Sequence, residues 1–279
     1  MNEDALILSN DSGFHSDWKS IYHRDALFWA SHEYHTDPIM KTIVRTVFSL
    51  AKQFNLSPAI EFTVIDTLEL LLVRVFQSWM QLKATSLQLL HRKKEAFLRQ
   101  LPLYTVAVVD IVAKYIDASV KLNLVALKRA AKASVSCQNM LTIEFEVIKI
   151  LDSELQSSLL LGAVERFSKE YLLPLNITSK ENIAVIGLKL LRLATSERLR
   201  IYDSLKASIR DRDSFHRFKS SKLILAGSIV ITILHLLPTA RRSKAVLNQI
   251  LEPLADDCCV QATNLIYLRD AMLRVISNR

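Results

Sequence analysis

The sequence predicts an all-α protein, on the basis of three observations. Only four glycines and six prolines occur in 279 residues, too few for a turn-rich β-protein or a nucleotide-binding α/β sheet. Half of the residues are hydrophobic, which is enough for a large core. Apolar residues recur at helical spacing along almost the whole chain, and no convincing strand alternation appears.

Capping residues mark several helix starts. Asp37-Pro38 and Ser57-Pro58 each place a capping side chain before a proline at the first helical position. Thr178 and Glu181 have the spacing of a capping box. With the apolar periodicity, these signals predict helices at 37–55, 57–90, 102–121, 123–137, 139–153, 155–172, 178–195, 197–212, 219–237, 241–252 and 254–277.

The sequence predicts two similar five-helix units in tandem, residues 37–153 and 154–279, after an N-terminal extension of residues 1–36. Of the eleven predicted helices, five fall in the first unit and six in the second. Each unit contains one uniformly apolar helix, 102–121 or 219–237, which is expected to be its buried centre. This role also explains the uncharged segment 223–240, whose alternative interpretation is a membrane span. The extension is expected to form a short helix that docks on the first unit.

No pattern in the sequence indicates catalysis, a cofactor or a metal. The four glycines are isolated, so no phosphate-binding loop is present. "HEYH" at 32–35 spaces its histidines three apart, whereas a helical zinc site needs four. Asp256 and Asp257 are interpreted as polar surface. Three cysteines without a CxxC pair, and no apolar leader, predict a reduced intracellular protein. We therefore expect a non-catalytic protein that acts by binding.

The net charge of +8 predicts an acidic partner, either nucleic acid or an acidic protein surface. The basic residues are spread along the chain, with short clusters at 91–94, 127–132 and 240–244. The preferred interpretation of these clusters is that they are solvated helix faces and loops.

The stretch "LTIEFEVIKIL" (141–151) raises a question of burial. At about 100° per residue, Thr142, Glu146 and Lys149 cluster on one polar side, and Glu144 falls almost opposite them. An ionised carboxylate is costly to bury unless something pairs with it. Glu144 is therefore either a buried glutamate satisfied by an internal lysine or arginine, or a half-buried residue that contacts a partner.

Two stretches resemble the cyclin fold. "DIVAKYID" (110–117) resembles the end of the third cyclin helix, and "LTIEFEVIKIL" resembles the fifth. The resemblance implies a cyclin box at 37–153 and a second, degenerate cyclin-like unit at 154–279. It also implies that Lys114 and Glu144 contact a cyclin-dependent kinase and lie near each other. From the residues alone, Lys114 could equally pair in solvent with Asp110 or Asp117 on its own helical face.

Two further stretches resemble the family of cyclin N-terminal domain-containing protein 1, a divergent cyclin-like family that acts in meiosis. They are "VFSLAKQFNLSPAIEFTVIDTLELLLVRVFQSW" (47–79) and "RIYDSLKASIRDRDSF" (200–215), and the resemblance extends over residues 37–240. It implies a nuclear protein on chromosomes at meiotic recombination sites. Such a protein promotes the maturation of recombination intermediates into crossovers, with a cyclin-dependent kinase and meiotic recombination proteins as partners.

The chain also departs from ordinary cyclins. Thr46 replaces the tryptophan of the cyclin substrate-docking patch, and Met40 and Leu68 replace an arginine–aspartate pair. Docking of kinase substrates through that patch is therefore not expected. Two alternatives remain. One is a DNA-binding double cyclin fold of the transcription factor IIB type, although the zinc ribbon of that family needs a CxxC. The other is a plain helical scaffold.

Overall fold

The computed structural model describes residues 18–30, 37–83, 86–130, 137–155, 158–206, 209, 211–237 and 244–278. Every regular element in these ranges is helical and none is a strand, which confirms the predicted all-α class. The chain divides into two compact units. The first unit is Tyr34–Ser158, and the second unit combines Met1–Glu33 with Leu159–Arg279.

The helices follow one another through short connections. In chain order they are α1 (Trp18–Ala30), α2 (Asp37–Phe54), α3 (Pro58–Lys83), α4 (Leu87–Ile116), α5 (Leu124–Ala130), α6 (Cys137–Ile150), α7 (Leu159–Phe167), α8 (Lys180–Ser196), α9 (Arg198–Asp203), α10 (Arg212–Ser220), α11 (Lys222–Leu236), α12 (Lys244–Asp257) and α13 (Ala262–Ser277). A π-helical turn (Ser168–Leu172) and a 3₁₀ turn (Leu173–Leu175) follow α7.

The first unit is built around the C-terminal half of α4. From Leu103 to Ala113 every side chain except Ile111 is buried. Helices α2, α3, α5 and α6 pack against α4. The prediction of a buried central helix in this unit is confirmed.

The boundary between α3 and α4 differs from the prediction. The predicted helix 57–90 ends at Lys83, and α4 begins after Ser86, whose side chain accepts a hydrogen bond from the backbone N–H of Leu89 at 3.3 Å. Pro102, expected to open a helix, lies inside α4. A proline removes the hydrogen bond to the carbonyl four residues before it. Here that carbonyl belongs to Leu98, an exposed residue, so water can serve as its partner.

The second unit is likewise built around one buried helix, α11. All twelve residues from Leu223 to Leu234 are buried, as predicted for this apolar segment. Helices α7, α8, α12 and α13 pack around it. The described residues of this unit form eight α-helices, so it departs from the predicted five-helix arrangement.

Helix α1 belongs to the second unit, so the prediction that it docks on the first unit is wrong. It packs against α10 and α11. The Tyr22 hydroxyl donates a hydrogen bond to the Leu159 carbonyl at 2.7 Å. Asp25 pairs with Lys222 at 3.1 Å, and the two side chains are only 8% and 14% exposed. Partners more than a hundred residues away could not be read from the local sequence of α1.

Capping is confirmed at Ser57 and corrected by one residue at α8. The Ser57 hydroxyl accepts from the backbone N–H of Ile60 at 3.4 Å. At α8 the N-cap is Ser179, not Thr178, and its side chain accepts from the N–H of Asn182 at 3.2 Å. Thr178 instead accepts from the side-chain amide of Asn182 at 3.1 Å.

Among the described residues, one helix meets the length and hydropathy requirements of a membrane span, and a bent pair of helices meets them when it is taken as one span. One is α4, and the other is the α10–α11 pair, which is bent by 67°. In the structure the apolar part of each is the core of its unit, with 67% of the α4 window buried. Burial within the protein therefore accounts for their hydropathy.

Two helical glycines should respond to alanine in opposite directions. A Cβ at Gly227 would lie 2.8 Å from Sγ of buried Cys258, so Gly227→Ala should destabilise the protein by about 1–3 kcal/mol. At Gly162 the nearest atom is the Tyr22 hydroxyl at 3.5 Å, an ordinary contact. Gly162→Ala should therefore stabilise α7, by up to about 1 kcal/mol.

Urea denaturation of both variants measures these changes in the free energy of unfolding. The double variant Gly227→Ala/Cys258→Ala removes the sulfur that the new methyl group meets, so it should be less unstable than the sum of the single variants. Additive effects would contradict the proposed overlap.

Candidate functional site

Helix α6 has two apolar sides, one buried and the other exposed to solvent. Met140, Ile143, Val147 and Leu151 are buried, and the helix packs against α4 and α3. Glu144 is half-buried and lies at the edge of this buried side. The carboxylate is therefore neither fully internal nor fully in solvent, in agreement with the half-buried alternative of the sequence analysis.

Helix α4 contributes two charged neighbours of Glu144, and one of them is a buried carboxylate. Asp110 is 1% exposed, and the Lys114 ammonium one turn later forms an ion pair with it. The side chain of Lys114 is 58% exposed, so it reaches from solvent to the buried carboxylate. Hydrogen bonding to Asp110, reinforced by the charge of Glu144, raises the pKa of Lys114.

Glu144 adds a second carboxylate to this pair. Burial raises the pKa of Glu144, the negative charge of Asp110 raises it further, and Lys114 partly offsets both effects. A hydrogen bond between the carboxyl groups of Asp110 and Glu144 favours the protonated form in the same direction. We refer to Asp110, Lys114 and Glu144 as the charged cluster.

The charged cluster is not electrically balanced. It holds two carboxyl groups and one ammonium group. Oε1 of Glu144 is shielded from solvent and has no hydrogen-bond donor among the described residues. When both carboxyl groups are ionised, one negative charge therefore remains half-buried without a dedicated partner, an arrangement that costs free energy in the isolated protein.

Exposed apolar side chains flank the charged cluster on both helices. Leu141, Phe145 and Ile148 are 65%, 67% and 40% exposed and lie within four residues of Glu144 on α6. Tyr115 and Ile116, which directly follow Lys114 on α4, are 70% and 37% exposed. We refer to these five residues as the apolar rim. Neighbouring exposed apolar side chains of this size are typical of protein–protein contact sites.

The structure brings together the two residues that the resemblance selected. Lys114 and Glu144 lie close enough that each shifts the pKa of the other. It also gives Lys114 the pairing with Asp110 that the sequence left open, whereas Asp117 accepts hydrogen bonds from Ser119 instead. The three residues that differ from the cyclin pattern have structural roles within their own helices. Met40 and Leu68 are buried, and the Thr46 hydroxyl donates to the Thr42 carbonyl.

Two features of the site were missed by sequence reasoning. Asp110 was weighed only as a surface partner of Lys114, although its position inside an apolar run indicated burial. The exposure of the apolar-rim residues on α6 was the second, because periodicity alone cannot separate one broad buried face from a buried face beside an exposed apolar one.

The metal prediction falls largely outside the described residues. Residues 32–35 lie there, so the structure describes no part of "HEYH". Within the described ranges, no group of three or more His, Cys, Asp or Glu side chains could hold a metal ion.

The chain was compared with protein-family models, with curated proteins and with solved structures, and none of the three comparisons gives a match.

Replacing Glu144 by glutamine should stabilise the protein at neutral pH and have little effect in acid. Because the folded-state pKa of Glu144 is raised, its contribution to stability is complete below the unfolded pKa and is lost as the pH rises through the folded pKa. Glutamine carries no charge at any pH and can donate to Asp110. We expect Glu144→Gln to raise Tm on the order of 1–3 °C near neutral pH.

Thermal unfolding of native and variant protein at about pH 4 and about pH 7.5 measures this difference. Glu252→Gln, which alters an exposed glutamate on α12, serves as the control and should leave Tm unchanged at both pH values. A Glu144→Gln variant that is less stable than the native protein at neutral pH would show that the ionised carboxylate is stabilising.

Proposed function

We propose that the protein is a non-catalytic cyclin-like regulator that binds a cyclin-dependent kinase through the charged cluster and the apolar rim. In this proposal the first unit is the cyclin box and the second is a degenerate cyclin-like unit. The observation that carries the proposal is the half-buried Glu144 beside Lys114, with exposed apolar side chains around them. These are the two positions at which the resemblance implies kinase contacts.

The physical chemistry of the surface supports a protein partner. Binding energy in such contacts is concentrated in a few desolvated residues, surrounded by others that exclude water. Phe145 and Tyr115 are large exposed aromatic residues that can act as anchors. A hydrogen-bond donor of the partner that faces the accessible part of the Glu144 carboxyl group would offset its unbalanced negative charge.

The cellular role rests on the resemblance to the meiotic cyclin-like family. We propose that the protein acts in the nucleus, on chromosomes at meiotic recombination sites. There it promotes the maturation of recombination intermediates into crossovers, together with meiotic recombination proteins and the bound kinase. The non-enzymatic part of the proposal rests on the absence of any catalytic pattern in the sequence.

Phe145→Ala and Glu144→Lys should weaken kinase binding far more than they weaken the fold. Phe145 is 67% exposed, so its truncation should change Tm by no more than about 1 °C. Loss of a central aromatic anchor costs about 2 kcal/mol or more, which is about 30-fold or more in Kd. Affinity purification of the tagged full chain from meiotic germline tissue, followed by quantitative mass spectrometry, identifies the kinase and measures its recovery.

Tyr267→Ala provides a matched control, because Tyr267 is another exposed aromatic residue, 55% exposed on α13 of the second unit. It should retain the kinase at the native level. Lys114→Ala is less informative, since it leaves the buried Asp110 without its cation and should lower Tm as well. A folded Phe145→Ala or Glu144→Lys variant that recovers the kinase at the native level would exclude this surface as the binding site.

Loss of the protein should reduce meiotic crossing over without affecting somatic growth. Tagged protein should form nuclear foci in germ cells at about the number of crossovers, because the proposed role is at designated recombination sites. Counting foci and crossovers in native and null germ cells tests this. Normal crossover numbers in the null would refute the meiotic role and leave the kinase-binding surface to be judged separately.

A further inference from the structure

The first unit contains a cleft of about 460 Å³ between α3, the N-terminal half of α4 and the end of α6. Its volume lies in the range of sites that bind small ligands or an anchoring side chain. Trp79 and Phe97 form part of its lining, with ring centroids 5.5 Å apart in an edge-to-face arrangement. The Phe97 ring also contacts the Tyr104 ring, with centroids 4.9 Å apart, so the three aromatic rings form a continuous series.

The ring series is buried at one end and accessible at the other. Tyr104 is 3% exposed and Phe97 is 6% exposed, whereas Trp79 is half-buried. Aromatic pairs favour edge-to-face or offset contacts beyond the gain from buried area alone. A further aromatic ring placed in the cleft can therefore extend the series on the accessible part of Trp79.

Most charged groups in the wall of the cleft already have partners. Burial raises the pKa of Tyr104, and the hydrogen bond that its hydroxyl donates to the carboxylate of Glu146 raises it further. Arg74 donates to the Ile150 carbonyl at 3.2 Å and pairs with Glu154. Arg74 thereby satisfies a carbonyl at the C-terminus of α6.

Lys93 is different. It lines the cleft, is exposed and forms no ion pair with any residue that the structure describes. The neighbouring surface of α4 carries three more exposed cations, Arg92, Lys94 and Arg99, and one exposed carboxylate, Glu95. The cleft itself therefore combines an apolar aromatic lining with one cation, Lys93, that has no ion-pair partner among the described residues.

We infer that this cleft binds an acidic linear peptide segment of a partner protein, which inserts an aromatic side chain against Trp79 and places a carboxylate at Lys93. Lys93 complements a carboxylate of the segment, and the ring series complements the aromatic anchor. A peptide can present a single carboxylate to Lys93 and keep its other acidic residues away from Glu146, whereas a nucleic acid carries a charge on every phosphate, so a peptide fits better than nucleic acid. This site is separate from the charged cluster and does not depend on kinase binding.

Fluorescence anisotropy with the full chain tests the inference directly. The probe is a fluorescein-labelled synthetic peptide pool of about ten residues, with a fixed central Phe and Asp or Glu at alternating positions. Lys93→Glu should weaken binding by about tenfold or more, since it reverses the charge in the wall. Lys94→Glu, the matched control, makes the same change in net charge on an adjacent residue that does not line the cleft, and should weaken binding by less than about threefold.

Two additional measurements identify the anchor and its location. A pool with Ala in place of the central Phe should bind about tenfold or more weakly. In two-dimensional NMR spectra, the indole N–H signal of Trp79, assigned by its absence in Trp79→Phe, should shift when the Phe pool is added. Phe145→Ala, which alters the apolar rim, should leave both results unchanged.

Four outcomes would overturn the inference. These are no binding of the Phe pool, equal losses for Lys93→Glu and Lys94→Glu, equal binding of the Phe and Ala pools, and an unshifted Trp79 signal. Single-stranded DNA of about ten nucleotides forms the competing arm. If DNA binds more tightly than the peptide pool, with a steep decrease in affinity as salt rises, the basic surface of α4 is a nucleic-acid contact instead.

Discussion

Each unit depends on one helix that is apolar on nearly every side and must be kept from water. In the first unit this is the half of α4 from Leu103 to Ala113, and in the second it is α11. Removing such a helix from water supplies the main driving force for packing the other helices around it. The serine and threonine side chains in these segments bond to the backbone of their own helix. The hydroxyl groups of Thr105 and Thr232, for example, donate to the carbonyls one turn before them.

The candidate site arises where this constraint ends. Asp110 lies in the covered part of α4, but Lys114 lies one turn later, where the helix emerges into solvent. The long lysine side chain can therefore keep its ammonium group near water while it neutralises a buried carboxylate. Glu144 joins the pair from α6. Only one of the two apolar sides of α6 packs against α4, and the other side is exposed. The position of the charged cluster follows from the packing of two helices, not from either helix alone.

The sequence predicted those features that depend on local periodicity and composition. The all-helical class, the two apolar central helices and the cap at Ser57 follow from one segment at a time. The errors concern long-range contacts. Helix α1 belongs with residues more than a hundred positions away, because Tyr22 bonds to Leu159 and Asp25 pairs with Lys222. The N-cap at Ser86 is a residue type that favours this position, but the continuing apolar periodicity concealed it.

The candidate site was only partly predictable for the same reason. Glu144 and Lys114 were selected by resemblance, and the odd position of Glu144 on its helix was visible from periodicity. Exposure of Leu141, Phe145 and Ile148 was not, because a helix carries no signal for which of two adjacent apolar sides faces the core. The cleft lined by Trp79 and Phe97 joins three helices, and nothing in any one of them indicates a cavity.

The charged cluster is costly in the free protein, and this cost is informative. A half-buried glutamate beside a buried aspartate is less favourable than an apolar or amide side chain of similar size, since replacing buried ionic groups is often neutral or stabilising. The exposed apolar rim adds a further cost in water. Both costs would be recovered if the same partner covered the rim and supplied a hydrogen-bond donor to Glu144.

Such an arrangement discriminates between partners more strongly than an apolar surface can. Covering the rim lowers the local dielectric constant, which strengthens the interaction of Glu144 with a donor that faces it. A partner that covered the rim but lacked the donor would leave the carboxylate buried and unpaired, and much of the gain from apolar burial would be lost. The apolar rim therefore supplies affinity for many partners, while Glu144 restricts binding to those with the matching group.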